Sequence, residues 1–521
     1  MRAKIFCFTV PIIAAALIIS LLCLVLFHLF GNAEKYYKLA LETSDETQAF
    51  KYYKKAAERG HNISRCQVGY RYANGIGVAK NEKKAFEWYL KGANDGYDDA
   101  QCKLAGLYSD GIGVQKDEEK ALEWYKKSAQ QGYPYAQYNV GYHYYYGIAV
   151  PKDKETAIIW WKLAAEGLEK EVKEGVPEAQ YLLGFLYEYG YGVPKDEFKA
   201  ATLYRKAADQ GDSSAQLSLG NLYYFGIGVD KDYERAFDLY RKAAYRGNMI
   251  AQENLAECYL FGNGTTRNYG LAIDWHKKAA EKGNPYSRQR LGCLYEMGIG
   301  VKKDKEEAQK WYSDSVAGLI EKAKNGETKA QYLLGNMYSL GSGVQQNIDE
   351  AIEWYTKAAE QGDSKSQFKL GWSYYEQKEY KKAAIWFTTA ADQGDYDALS
   401  CLGNCYYYGR GVIKDEEKGL KLFRTAANNG SSYAQYSLGW VYSHQTPKNL
   451  KKAIEWYTMA AEQDHVSAQF ELGMLYYEGK GVDHDLEKAK YWLEKAADQG
   501  YEKARTSLKI IKEEESNSWR D

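Results

Sequence analysis

"AQLSLGNLYYFGIGVDKDYERAFDLYRKAAYRG", residues 215–247, holds one complete copy of the pattern that governs most of the chain. Ala215, Leu219 and Tyr223 fall four apart, which places them on one face of a first helix. Gly226-Ile227-Gly228 then breaks that helix, and Asp232 is positioned to cap the start of a second one. The second helix carries Ala236, Leu239, Tyr240, Ala243 and Ala244 before Gly247 ends it. The unit is therefore helix, glycine loop, helix, glycine turn.

Outward from this copy, tyrosines at equivalent places mark the register: Tyr72, Tyr108, Tyr144, Tyr187, Tyr223, Tyr259, Tyr295, Tyr338, Tyr374, Tyr406, Tyr442 and Tyr476. The commonest step is 36 residues, which overrules the several-domain expectation of a 521-residue chain. A fixed period in this range predicts stacked helix pairs, each burying its apolar face only against its neighbours. Three residues before each marker stands Gly69, Ala105, Gly141, Gly184, Gly220, Ala256, Gly292, Gly335, Gly371, Gly403, Gly439 or Gly473. Glycine inside a helix costs about 1 kcal/mol relative to alanine, so close approach of two backbones must compensate. The recurring second-helix tryptophans Trp88, Trp124, Trp160, Trp275, Trp311, Trp354, Trp386, Trp456 and Trp492 are the expected packing partners of that gap.

These residues closely resemble the Sel-like repeat (SLR) family, relatives of tetratricopeptide repeats, whose unit runs A-x-x-x-L-G-x-x-Y-x-x-G-x-G-V, a capping residue, K-A and W-Y-x-K-A-A-x-x-G. Good copies are "YANGIGVAKNEKKAFEWYLKGANDG" (72–96) and "YSLGSGVQQNIDEAIEWYTKAAEQG" (338–362), and the likeness covers about Ala49 to Gly500. The resemblance implies an all-α, right-handed superhelical solenoid of about 12–13 helix-turn-helix repeats over residues 34–500, used for protein interaction and often for assembling complexes at membranes. The units at Tyr374 and Tyr442 lack the G-x-G-V loop, and the first pair keeps only "AFKYYKKAAERG" (49–60). Two steps, Tyr144 to Tyr187 and Tyr295 to Tyr338, are 43 residues instead of 36, which adds about two helical turns to a second helix. These extensions read equally as protruding helices or as the trace of an internal duplication.

Residues 1–33 are a separate element. Arg2 and Lys4 precede an uncharged apolar run from Ile5 to Phe30, long enough to span a bilayer. It reads as an uncleaved transmembrane anchor, with a cleaved signal sequence as the alternative; a signal's apolar region stops at about 7–15 residues. The basic N-terminus directs the repeats away from the cytoplasm, into a bacterial periplasm or surface or the endoplasmic reticulum lumen. A cleaved segment would make the protein secreted. Residues 501–521 turn charged and read as a C-terminal cap or tail.

Acidic and basic residues nearly cancel, 70 against 69, and no basic stripe is present, so nucleic acid is not an expected partner. The 50 tyrosines exceed what a core needs. Tyrosine serves both packing and recognition. Positions six and two before each marker, and one after it, lie opposite the buried face. There the chain carries Tyr138, Tyr142 and Tyr145; Tyr181 and Phe185; Phe368, Trp372 and Tyr375; Tyr436 and Trp440; and Phe470, Met474 and Tyr477. In related solenoids first helices line the concave face. The stripe then paves a groove for a protein partner or a glycan or cell-wall polymer, unless flanking repeats cover the rings and make them secondary core.

Signatures of chemistry are missing. G-x-G recurs between helices without a preceding strand or a P-loop lysine, so no phosphate loop is expected. His61, His143, His276, His444, His465 and His484 form no metal-spaced motif. The reading is a non-enzyme without cofactors. Among Cys66, Cys102, Cys258, Cys293, Cys401 and Cys405, the pair Cys258 and Cys293 best suits a bridge, and small buried residues explain it equally. Cysteine-rich members of the resembled family carry a regular disulfide in each repeat; its absence here weakens a hydrolase reading.

Overall fold

The structure, a computed structural model, describes residues 32–518, with side chains to residue 513. The apolar run from Ile5 to Phe30, and the choice between anchor and signal, lie outside the described residues. Among the described residues every regular element is helical, and no helix is long and apolar enough to cross a membrane. The chain divides between Ala272 and Ile273 into two compact units, each a stack of helix pairs.

One pair shows why the sequence folds this way. The helices are Ser213–Phe225 and Tyr233–Tyr245. Asp212 caps the first by accepting from the Ala215 N–H, and Gly226 closes it in the left-handed conformation at φ 73°. Asp232 caps the second by accepting from the Arg235 N–H at 3.0 Å. Its own N–H donates to the carbonyl of the marker Tyr223 at 2.9 Å, which ties the loop back onto the first helix. The same backbone bond holds Asp117 to Tyr108, Asp304 to Tyr295 and Asn347 to Tyr338. It survives where the glycine loop is lost, from Glu379 to Tyr374 and from Asn449 to Tyr442. The second loop glycine has a different task. At Gly228, φ 64°, an added Cβ would stand 2.5 Å from the Glu197 carbonyl of the preceding repeat, so the loop is a stacking contact between repeats and not a phosphate cradle.

The glycine three before the marker does mark a close approach, but its partner is not the tryptophan. A Cβ on Gly335 would lie 2.5 Å from the Tyr355 ring, on Gly220 2.7 Å from Tyr240, and on Gly439 2.5 Å from Tyr457. The ring is in each case the residue after the predicted tryptophan position. Trp161 takes that place opposite Gly141, and Phe387 and Phe423 do so opposite Gly371 and Gly403. The tryptophans turn about 100° away around the helix. Trp354 joins Leu334 and Met337 in the core, and the Lys357 ammonium covers its face at 4.1 Å.

A second tie, absent from the expectations, runs along each unit. The glutamine seven before the marker is buried and donates to a carbonyl eight residues earlier, as Gln331 does to Ala323 at 2.9 Å. Its Oε1 then accepts from a glutamine ending the next second helix: Gln131 to Gln101, Gln210 to Gln180, Gln361 to Gln331, Gln393 to Gln367, Gln463 to Gln435 and Gln499 to Gln469. The ladder breaks at Gln137, Gln216 and Gln252, whose Oε1 atoms are buried without a partner among the described residues; the facing helix ends carry Glu174, Arg246 and Lys282 instead of glutamine.

The two long steps appear as 20-residue second helices, Lys154–Lys173 and Lys305–Lys324, against 12 or 13 residues elsewhere. They are not free protrusions. Gly167 and Gly318 pass within a Cβ's reach of Pro134 and Pro285, and Leu168 and Leu319 are fully buried in the added turns. Tyr135 clamps the first by donating to Glu171 at 2.5 Å, and Tyr286 donates likewise to Glu327 just beyond the second. The charged C-terminus forms the helix Glu502–Ser518, whose Ala504 and Ile511 bury against Leu493 and Ala496.

Two substitutions separate close approach from helix propensity. At Gly439, overpacking of about 1–3 kcal/mol outweighs about 1 kcal/mol of propensity, so Gly439→Ala lowers stability in urea unfolding. At Gly106 the nearest foreign atom is 3.6 Å away, and Gly106→Ala raises stability. For the ladder, Gln361→Ala strips the Gln331 oxygen of its donor and costs about 1–3 kcal/mol. Hydrogen exchange read along the chain places that loss in the second unit.

Candidate functional site

The predicted aromatic residues do assemble, with less exposure than the stripe required. In the first unit Tyr138 meets Phe185 of the next repeat edge to face at 5.9 Å. Tyr145 packs on Tyr191 at 5.0 Å, and Tyr191 stacks on buried Trp161 at 4.3 Å. Tyr181 turns inward against Tyr204 at 5.8 Å. Only Tyr142, 39% exposed, faces solvent among these five. In the second unit Phe368 and Tyr375 lie on the Phe387 ring, and Tyr436 on Tyr457. Phe470, Met474 and Tyr477 pack into the cluster closed by the terminal helix. Trp372, 38% exposed, stacks on Tyr375 at 5.7 Å and donates its Nε1 to Glu376 at 3.0 Å.

The exposed line is displaced from the expected one. Of the rings six before the marker, Tyr181, Phe368 and Tyr436 fall against the second-helix ring of their own repeat, and the rings one after the marker are half covered. Solvent instead meets the residue two after the marker, the last of each first helix. There stand Tyr146, Tyr189, Phe225 and Phe261 in the first unit, and Met297, Leu340 and Tyr408 in the second, all exposed. Phe225 is 64% and Leu340 73% exposed. Sequence spacing held this signal, because a run of large apolar residues just before the loop glycine recurs where a polar end is expected.

Trp372 and Trp440 also line a groove of about 500 Å³ in the second unit, together with Ser400, Asn404, Tyr408, Phe423, Tyr433 and Tyr436. Tyr408 meets Trp440 edge to face at 6.2 Å. Arg410 stands at the groove, hydrogen-bonded to the Tyr375 hydroxyl, with its guanidinium 5.2 Å from the Tyr408 ring centre. His465 closes the far side, stacked on Tyr436 at 4.8 Å.

Titratable groups here are structural. His465 caps the helix Val466–Glu478, its Nδ1 accepting from the Ala468 N–H at 3.3 Å, and His61 caps Asn62–Asn74 in the same way. His143 is buried on the Ile148 carbonyl. Burial holds all three below the ordinary histidine value, and it pushes His276, with Arg290 and Lys329 adding, down to about 3. The histidines thus belong mainly to caps and core, not to the surface. The six described cysteines are free, so the Cys258–Cys293 bridge is not formed. Burial raises the thiols of Cys258 and Cys405 to about 12 and about 11, which leaves them neutral and poorly nucleophilic. Among the described residues no group of three or more His, Cys, Asp or Glu is placed to hold a metal.

Fold and face define an α-solenoid of stacked helix-turn-helix repeats, several of whose first helices end in an exposed large apolar residue. Thirteen Sel1 repeats match, at residues 36–61, 63–97, 98–133, 134–167, 177–212, 213–248, 250–284, 285–313, 328–363, 364–395, 397–431, 432–465 and 466–501. The chain belongs to the Sel1 repeat family. It is 38% identical over 161 residues to the rat DAP3-binding cell death enhancer 1, covering 30% of this chain and 32% of that protein. It is 34% identical over 109 residues to chitin synthase regulatory factor 3 of Schizosaccharomyces pombe, 20% of this chain and 12% of that protein. The chain spans at most about a third of these curated relatives. Among solved structures, c5321, a protective antigen of uropathogenic Escherichia coli with an SLR fold, is 34% identical over 88% of this chain and 97% of that one, with a TM-score of 0.44. A Sel1 repeat protein from Oxalobacter formigenes is 33% identical over 49% of this chain and 99% of that one, with a TM-score of 0.38.

The capping role of His465 fixes a pH dependence. An imidazole whose folded value is depressed contributes stability that is complete above its unfolded value of about 6.5 and is lost as pH falls below it. Hydrogen exchange of the amides that follow His465 therefore accelerates between pH 7 and pH 5 beyond the intrinsic trend. His465→Asn, which caps without titrating in this range, flattens the change.

Proposed function

We propose that this protein is a non-catalytic scaffold that holds a protein partner along the aromatic face of its first helices. The observation that carries this reading is the repeated presentation of large apolar residues at the ends of first helices, from Tyr146 to Phe261 in one unit and from Met297 to Tyr408 in the other. Exposed large apolar residues repeated in this way mark interaction sites, and aromatic residues dominate binding energy where they are found. The family is consistent with it, and a relative matched in part is named for binding DAP3. The same rings offer stacking platforms to a glycan or cell-wall polymer, the second reading.

The apolar run from Ile5 to Phe30 supports membrane attachment, with the repeats on the extracytoplasmic side. Attachment would restrict a partner to the membrane's vicinity and raise its effective concentration.

Photo-crosslinking in cells distinguishes these readings. A photoreactive side chain at position 142 or 225 is expected to give discrete protein adducts, and one at exposed Phe198 on a second helix none. Equal adducts at all three positions, or adducts only to polysaccharide, would sink the protein-scaffold reading. Tyr142→Ala and Phe225→Ala remove exposed rings without opening the core, so thermal unfolding should stay within about 0.5 kcal/mol of the parent.

A further inference from the structure

The groove in the second unit lies where the repeat pattern is broken three times over. Six before the marker, the flanking first helices carry Phe368 and Tyr436, each lying on a second-helix ring. The helix between them has Ser400 at that place, so no ring covers that side of Phe423, which stays buried against Tyr407 and forms the groove's floor. Two before the marker, Asn404 stands between Trp372 and Trp440 of the flanking helices. In the glycine loop, where isoleucine is the commonest residue, at positions 76, 112, 148, 227 and 299, this repeat has Arg410. Each departure removes a ring or adds polarity, and all three open on one space of about 500 Å³, within the range of about 300–1,000 Å³ usual for ligand pockets.

The polar groups are left in need of a partner. Ser400 is 1% exposed, and its Oγ has no hydrogen-bond partner among the described residues. An unmatched buried hydroxyl costs about 1–3 kcal/mol, which a ligand donor or acceptor recovers. Arg410 has a tyrosine hydroxyl and ring faces for company but no carboxylate within ion-pair distance. Among the described residues no carboxylate lines the groove itself; Glu376 is engaged by the Trp372 indole N–H. That charge pattern favours an anionic ligand. It disfavours a neutral saccharide, whose many hydroxyl donors are best met by carboxylates.

We propose that this groove receives an aromatic side chain of a partner peptide whose next residue is acidic, the ring seated between Trp372 and Trp440 and the carboxylate paired with Arg410. This rests on the scaffold reading and narrows it to one anchor site. The ring buries apolar area where the repeat has left a gap, the peptide backbone meets Ser400 and Asn404, and the guanidinium supplies a charge-assisted pair.

The test uses the full chain in detergent micelles and fluorescein-labelled Gly-Gly-Phe-Asp-Gly-Gly, amidated at its C-terminus, with Phe→Ala and Asp→Asn versions and chitohexaose as probes. Fluorescence anisotropy is expected to show the Phe-Asp peptide binding at least tenfold tighter than either altered peptide. Arg410→Gln should bring the Phe-Asp peptide to the level of the Phe-Asn peptide and leave the latter unchanged. Ser400→Tyr, which restores the aromatic type of the flanking repeats, should abolish binding while circular dichroism and thermal unfolding match the parent. If that variant does not fold, the Arg410→Gln comparison decides alone. Equal affinity for all three peptides, no measurable peptide binding, or chitohexaose binding in their place each overturns the proposal. Protein adducts at positions 142 and 225 would then still uphold the scaffold, so failure of the groove and failure of the scaffold are told apart.

Discussion

Everything in this molecule depends on how closely the two helices of a repeat approach. A glycine three residues before the marker tyrosine lets a second-helix ring press against first-helix backbone, at a separation where even a methyl group would overlap. That contact replaces side-chain interdigitation by a ring lying flat on a helix, and it brings the helices near enough for the next pair to stack at a regular interval. The helical cost of the glycine is met by the burial of the ring, which for Tyr204, Tyr355 and Tyr457 is nearly complete. The fold is thus a one-dimensional series of similar contacts, with alanine at 105 and 256 and Leu493 in place of a ring opposite Gly473, each depending on its nearest neighbours.

A series of this kind needs polar order as well as apolar contact, since apolar burial alone does not fix the rise and rotation from one repeat to the next. The glutamine ladder supplies direction. Each buried amide spans a carbonyl of the preceding repeat and an amide at the end of its own repeat, so a shift of one repeat against another would strand a buried oxygen. The loop glycines at Gly77, Gly228 and Gly411 press onto the helix start of the preceding repeat and fix the same relation from the other end of the pair. Where the ladder lapses, at Gln137, the neighbouring second helix is the lengthened one, held instead by Tyr135 on Glu171 and by the proline contact of Gly167. A changed repeat length is therefore accommodated by exchanging one set of polar ties for another.

The repeat architecture, the helix boundaries and the caps were legible in the sequence, because each rests on local chemistry: a glycine needing positive φ, an aspartate beside three free N–H groups, an apolar residue every fourth place. Partnerships across the pair were harder to read. Tryptophan was assigned to the glycine gap on size, yet a one-residue step around the second helix carries Trp354 into the core and Tyr355 to the gap, and composition does not reveal that rotation. The aromatic stripe erred for a related reason. Treating the first helix as having one buried and one free face ignored that it touches both its own second helix and the next first helix, so Tyr181, Phe368 and Tyr436 were already engaged. The helix end two residues after the marker is less enclosed, and there Phe225 and Leu340 remain exposed. The glutamines went unnoticed because a polar residue beside an alanine on a helix ordinarily signals solvent.

The abundance of tyrosine follows from the same geometry. A helix pair with rings at its inner contact, its inter-repeat contact and its open end needs a side chain that packs flat and tolerates water at its tip, and phenol meets all three demands. Tyr204, Tyr312 and Tyr355 bury their rings while their hydroxyls reach Glu188, Glu296 and Asn336 at 2.6–2.8 Å. In a protein built of near-identical units, a ring that every repeat can use carries little specificity. Selectivity has to come from places where one repeat differs from its neighbours. Ser400, Asn404 and Arg410 are such differences, and they fall together on the open face between two tryptophans. The regular contacts hold the solenoid in register, and the irregular ones give a single position on it a chemical identity.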